Sequence, residues 1–134
     1  MFIFALMKEV INTDQAPKAL GPYNQATASR GFVFTAGQIA LDPATGDLVN
    51  GSIEEETDQV LKNLKAVLMA SDCGLEDVLS VTVYVTDMHQ YAKINAIYSN
   101  YFPDDTAPAR ALVEVRNLPK FVNVEISAIA VRSN

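Results

Sequence analysis

Val122-Asn123-Val124-Glu125-Ile126-Ser127-Ala128-Ile129-Ala130-Val131 alternates its side chains with the two-residue period of a β-strand. Val122, Val124, Ile126, Ala128 and Ala130 make one clean apolar face, while Asn123, Glu125, Ser127, Ile129 and Val131 make the other. A glutamate in such a strand is either paired or at work, because carboxylates are seldom buried without a partner. Upstream, Arg110 follows Pro108 and Ala109 and heads the apolar-rich run over residues 111–115. Its rigid fork of donors suits it to grip a carboxylate.

In the run that Arg110 opens, Ala111, Val113 and Val115 alternate against Arg110, Leu112 and Glu114. Matching apolar face to apolar face predicts that strands 110–115 and 122–131 form a hairpin or an adjacent antiparallel pair around Asn117-Leu118-Pro119-Lys120. Arg110 and Glu125 then become close or diagonal neighbours on the face away from the helices. They either share a pocket or make a structural ion pair. Leu112, Ile129 and Val131 on that face are too apolar to meet water as one patch, which predicts burial against other subunits.

Working outward, residues 8–11 read as a short first strand. Residues 25–30 and 32–36 read as a hairpin around Gly31, and Asp42-Pro43-Ala44-Thr45-Gly46 is turn chemistry. Ser52 with Glu55 is a capping box, and Ile53, Val60, Leu61, Leu64, Val67 and Leu68 recur behind it at helical spacing up to a stop near Gly74. Residues 79–85 are a β-branched strand. Asp87 with Gln90 caps a second helix, whose stripe carries Tyr91, Ile94, Tyr98 and Phe102 together with Asn95, either a satisfied core amide or a site residue. The order β-β-β-α-β-α-β-β predicts one α+β domain over residues 1–134, a mixed sheet with both helices on one face.

The 134 residues are 49% hydrophobic and 19% charged, which is globular and long enough for one core. The net charge of −6 argues against nucleic acid as the main partner. One cysteine, Cys73, and one histidine, His89, make neither an internal disulfide nor a Cys/His metal cluster, so no metal is expected. Cys73 reads as inert and His89 as an exposed residue near a helix start. Residues 1–6 are apolar but shorter than a signal-peptide core with flanks. They read as an extension from an upstream start or as a lengthened edge strand, with no membrane span and the cytoplasm as the expected location.

Gly21-Pro22-Tyr23, Thr35-Ala36-Gly37-Gln38-Ile39, Asn95-Ala96-Ile97-Tyr98, Pro108-Ala109-Arg110, Val113-Glu114-Val115, Leu118-Pro119 and Val124-Glu125-Ile126 together resemble the RidA/YjgF family of enamine/imine deaminases. The resemblance implies a chorismate-mutase-like fold, a homotrimer around a central β-barrel, and pockets between subunits. It also implies cofactor-free hydrolysis of 2-aminoacrylate, 2-aminocrotonate and their imine tautomers to 2-keto acids and ammonia. By position, Arg110 corresponds to the carboxylate-binding arginine and Glu125 to the residue that holds or activates water. Tyr23, Gly37 and Asn95 match substrate-pocket positions, and Arg110 of one subunit would work with groups of its neighbour. Two positions depart from the common bacterial pattern: Ala36, where a serine often stands, and Leu112, where a cysteine often does. The competing expectations are a non-catalytic trimer that binds small 2-keto or amino acids and regulates a partner, and a ribonuclease or translation inhibitor, which the acidic charge balance disfavours.

Overall fold

The computed structural model describes residues 7–133; residues 1–6, read above as an extension, lie outside them. Six strands form one sheet in the order β1-β2-β3-β6-β4-β5. They are β1 (Glu9–Ile11), β2 (Ala26–Ser29), β3 (Phe32–Thr35), β4 (Val78–Val85), β5 (Ala109–Glu114) and β6 (Val124–Val131), with helices α1 (Ile53–Ala70) and α2 (Tyr91–Tyr98). The β2–β3 hairpin turns through Arg30 and Gly31, both at positive φ (55° and 86°), the mirror-image turn whose twist suits a two-residue hairpin.

Helix α1 starts at Ser52, whose Oγ accepts from the Glu55 amide at 3.1 Å, as the capping box requires. It ends before Gly74: Asp72 takes the left-handed conformation (φ 62°) and the Cys73 amide donates back to the Leu68 carbonyl at 2.9 Å. The crossovers β3-α1-β4 and β4-α2-β5 advance the same way along the sheet, so the right-handed rule puts both helices on one face. Their buried residues, among them Leu61, Leu64, Leu68, Ile94 and Tyr98, join Val33, Val81, Val83, Val85 and Ile126 in one core.

The expected pairing of β5 with β6 is not found. Strand β4 lies between them, antiparallel to β6 and parallel to β5. Residues 115–123 carry the chain past the end of β4 instead of making a tight turn, so the two strands run oppositely without touching. The facing of β5 is reversed as well. Arg110 and Leu112 pair with Val81 and Val83, which puts them on the helix side, while Ala111 and Val113 are exposed on the other. A sheet edge beneath a helix of only eight residues leaves room for a long cationic side chain to reach water.

The helix-free face keeps exposed Val10, Phe32, Phe34, Val113 and Ile129. Of the three residues expected there, Ile129 and the half-buried Val131, which pairs with Phe32, lie on this face, whereas Leu112 packs against the core.

Two polar residues in the buried stripe of α1 fasten the sheet. Glu56, 1% exposed, accepts from the amides of Asn123 (2.7 Å) and Val124 (3.1 Å) with Oε2 and from the Asn123 side chain (2.8 Å) with Oε1. Asn63, equally buried, donates to the carbonyls of Ile39 (3.0 Å) and Leu41 (2.8 Å). Removing an acceptor strands buried donors, which costs more than the bond itself contributes. Glu56→Ala is therefore expected to lower unfolding free energy by about 3 kcal/mol, and Glu56→Gln by less because its amide oxygen still accepts; urea denaturation measures both.

Candidate functional site

The site is built where β3 leaves β6. Phe34 pairs with Ile129 and Gln38 bridges Ile126, so four steps on one strand match three on the other, a β-bulge. Thr35 Oγ1 takes the Ala128 amide at 3.0 Å, and the Gln38 backbone resumes pairing with Ile126 at 2.8 and 3.1 Å. The bulge turns Gly37 against Glu125. A Cβ at Gly37 would lie 2.6 Å from the carboxylate carbon, so only glycine lets the glutamate lie flat there.

Glu125 is half-buried, and no described residue donates a hydrogen bond or a salt bridge to its carboxylate. Burial pushes its pKa up from the ordinary carboxylate value. A cleft of about 260 Å³ opens beside it, walled by Leu20, Tyr23, Ala36, Ile39 and Pro119. Tyr23 is 45% exposed, and its hydroxyl accepts from the Leu20 amide at 3.1 Å. Behind it, buried Gln25 donates to the carbonyls of Thr13, Ala16 and Pro17 and so shapes the loop that presents Tyr23.

Arg110 lies elsewhere. Its guanidinium donates to Asn95 Oδ1 at 2.8 Å and stacks over the Tyr98 ring at 4.6 Å, and it makes no salt bridge with any described residue. The aromatic face and the amide hold one side of the fork and leave the rest of its donors uncommitted. Burial pushes the Tyr98 phenol up, with the Arg110 charge opposing it.

Arg110 aligns with Val81 and Glu125 with Tyr84, an odd offset along β4, so their side chains leave opposite faces of the sheet. Two strand spacings, roughly 10 Å, also separate them. Within one chain they neither share a pocket nor form an ion pair, which corrects both readings of their neighbourhood. The structure groups Glu125 with Gly37 and Tyr23, and Arg110 with Asn95.

In the sequence Tyr98 stands only as one residue on the stripe of the second helix. It packs on Phe102, with ring centroids 4.9 Å apart, and also carries Arg110; its place one turn after Asn95 on α2 was the available signal. Glu56 and Asn63 were missed too, although both fall on the apolar stripe of α1 that includes Val60 and Val67. Among the described residues no cluster of three or more His, Cys, Asp or Glu could hold a metal, and no helix is long and apolar enough to cross a membrane. Cys73 is buried, and burial raises its thiol pKa. His89 is exposed beside Asp87.

Residues 13–132 match the family model described as endoribonuclease L-PSP. A RutC family protein of Pyrococcus horikoshii is 53% identical over 92% of this chain and 98% of its own length. The mouse 2-iminobutanoate/2-iminopropanoate deaminase is 42% identical over 96% of this chain and 94% of its own. A Yersinia pestis structure of the Rid protein family superposes with a TM-score of 0.89 at 44% identity, covering 92% of this chain and 98% of that one. On the family match over most of its length, and on a fold shared with a Rid structure, this chain belongs to the RidA/YjgF family.

Proposed function

We propose that this chain hydrolyses reactive 2-imino and 2-enamino acids, such as 2-iminopropanoate and 2-iminobutanoate, to 2-keto acids and ammonia. The observation that carries this reading is the half-buried Glu125 carboxylate, with no cationic partner among the described residues, pressed on Gly37 at the mouth of a cleft. A carboxylate in that setting binds protons readily and can orient a water. Arg110, held by Asn95 and Tyr98 with donors to spare, suits the one permanent anion that every 2-imino acid carries.

In this reading the substrate carboxylate rests on Arg110 near Asn95, and C2 faces the water held by Glu125, with Tyr23 and the Gly37 backbone lining the pocket. Water adds to C2 of the protonated imine as Glu125 takes one of its protons, and Glu125 then returns that proton to the carbinolamine nitrogen. As the C–N bond breaks and ammonia leaves, the hydroxyl proton passes to the Glu125 carboxylate and C2 becomes the keto carbon. The imine carbon is already electrophilic, so orientation and proton transfer are what the protein adds.

The two half-sites of one chain cannot meet, so the working pocket lies between copies, with Arg110 of one facing Glu125 of the next. The exposed Val10, Phe32, Phe34 and Ile129 on the helix-free face support such an assembly. A homotrimer closing its sheets around a central barrel is the arrangement we propose, in the cytoplasm and without a cofactor. Against a ribonuclease, 16 acidic residues outnumber 10 basic ones, the reverse of a phosphate-neutralising surface.

The test is a coupled assay in which a serine or threonine dehydratase generates the imine and keto-acid release is followed. Arg110→Ala is expected to lower kcat/KM by about 10²-fold, the loss of charge-assisted hydrogen bonds. Glu125→Gln is expected to lower kcat by roughly 10²–10⁴-fold. Wild-type rates equal to the enzyme-free background would overturn the reading, and a Glu125→Gln variant with full turnover would remove Glu125 from it.

The raised pKa also sets a stability signature. The native chain holds the Glu125 proton more tightly than the unfolded one, so this residue's contribution to stability falls as pH rises from the ordinary value of 4.5 through the raised native one. In the dissociated single chain, where no arginine faces Glu125, Glu125→Gln is expected to melt higher than wild type at pH 7, with the difference vanishing below about pH 4. In the proposed assembly the facing Arg110 favours the ionised form and should shrink the difference; thermal melts across pH measure both.

A further inference from the structure

Arg110 is held by two side chains of one short helix. Asn95 and Tyr98 stand three apart on α2 and so share a face. Both meet the guanidinium: Asn95 Oδ1 accepts from one nitrogen at 2.8 Å, and Cζ lies 4.6 Å from the centre of the Tyr98 ring. One hydrogen bond fixes a point and leaves the fork free to swing about it. A ring face at this distance closes that swing on one side, because it attracts the cation over its whole plane. All three residues belong to one chain, so the arrangement does not wait on a second copy.

The ring is itself immobilised. Tyr98 is 7% exposed and packs on the buried Phe102, their planes tilted by 35°. Just beyond it the Tyr101 hydroxyl donates to Asp58 Oδ1 at 2.6 Å and fastens the end of α2 to α1. The Tyr98 hydroxyl is buried and finds no hydrogen-bond partner among the described residues. A polar group stranded in this way costs stability. The ring face is the part of this side chain with a polar partner, and that partner is Arg110.

We propose that Tyr98 is the positioning residue of the arginine half-site: its ring face sets the plane of the Arg110 guanidinium, so that the donors Asn95 does not use stay aimed at an incoming carboxylate. The inference deepens the deaminase reading and rests on it for the identity of that carboxylate. Tyr98 touches no substrate. It acts through Arg110, by reducing the freedom that the fork loses when the anion binds. Its effect therefore falls on binding, which turnover reads mainly in KM.

The experiment places phenylalanine at position 98, and then phenylalanines with one, two and three ring fluorines, which drain charge from the ring face and nearly keep its shape. Each variant is read twice, as kcat and KM in the dehydratase-coupled assay and as Kd for 2-oxobutanoate by NMR titration. Tyr98→Phe keeps the ring and is expected to hold at least about half of the wild-type kcat/KM. Freed of the stranded hydroxyl, it should melt no lower than wild type. Across the fluorinated series KM and Kd should rise stepwise to a total of roughly 2–30-fold, with kcat little changed. In an Arg110→Ala background the same series should leave Kd flat. A Kd that ignores the number of fluorines, or that rises as much without Arg110 as with it, overturns the inference; the deaminase reading then stands wherever wild type still turns over. A fluorine-dependent Kd with no turnover overturns the deaminase reading alone, and the loss of both signals overturns both.

Discussion

The carboxylate of Glu56 is the fastening on which the site depends. It sits on the buried face of α1 and takes the first two amides at the head of β6 together with the Asn123 side chain. Those bonds fix where β6 begins, and therefore which residue stands opposite the Gly37 bulge. A slip of one residue would send Glu125 into the helix-covered core and expose Val124 and Ile126. Net stability contributed by one such bond is small, but a buried acceptor surrounded by donors is specific, because every alternative register leaves some of them unmet.

Asn63 and Gln25 extend the same logic to the loops. One ties the segment after the bulge to α1, and the other gathers three carbonyls of the loop before Tyr23. The cleft is thus an irregular surface backed by a rigid helix, and the backbone that lines it is held through buried amides. This explains how a carboxylate can be kept beside apolar walls: the neighbouring chain is anchored well enough that Gly37 stays in contact with it and no lysine or arginine among the described residues reaches it.

Arg110 is organised by different means. It is on an edge strand, supported by a ring and an amide from α2, with part of its fork uncommitted. An arginine and a glutamate that would neutralise each other if adjacent are kept apart by the sheet itself. Within one chain that separation leaves neither charge neutralised by the other, since a paired Arg-Glu would have to be broken before either could bind.

Much of this was legible in the chain. The two-residue period of 122–131, the Ser52-Glu55 cap, the stripe of α1 and the β-branched run before Asp87 fixed strands, helices and their order, because each is a local pattern with a local cause. The blocks around Tyr23, Gly37, Asn95, Arg110 and Glu125 carried the family resemblance. The placing of β4 between β5 and β6, the facing of Arg110 and the bulge at Gly37 were not legible. Strand neighbours are chosen by a crossover helix and by which edges remain open, and those are properties of the whole sheet. Sequence by itself therefore determined the elements and the candidate residues, while only the tertiary structure decided that Arg110 and Glu125 leave opposite faces, since the parity of pairing is set through β4, a strand that contains neither of them.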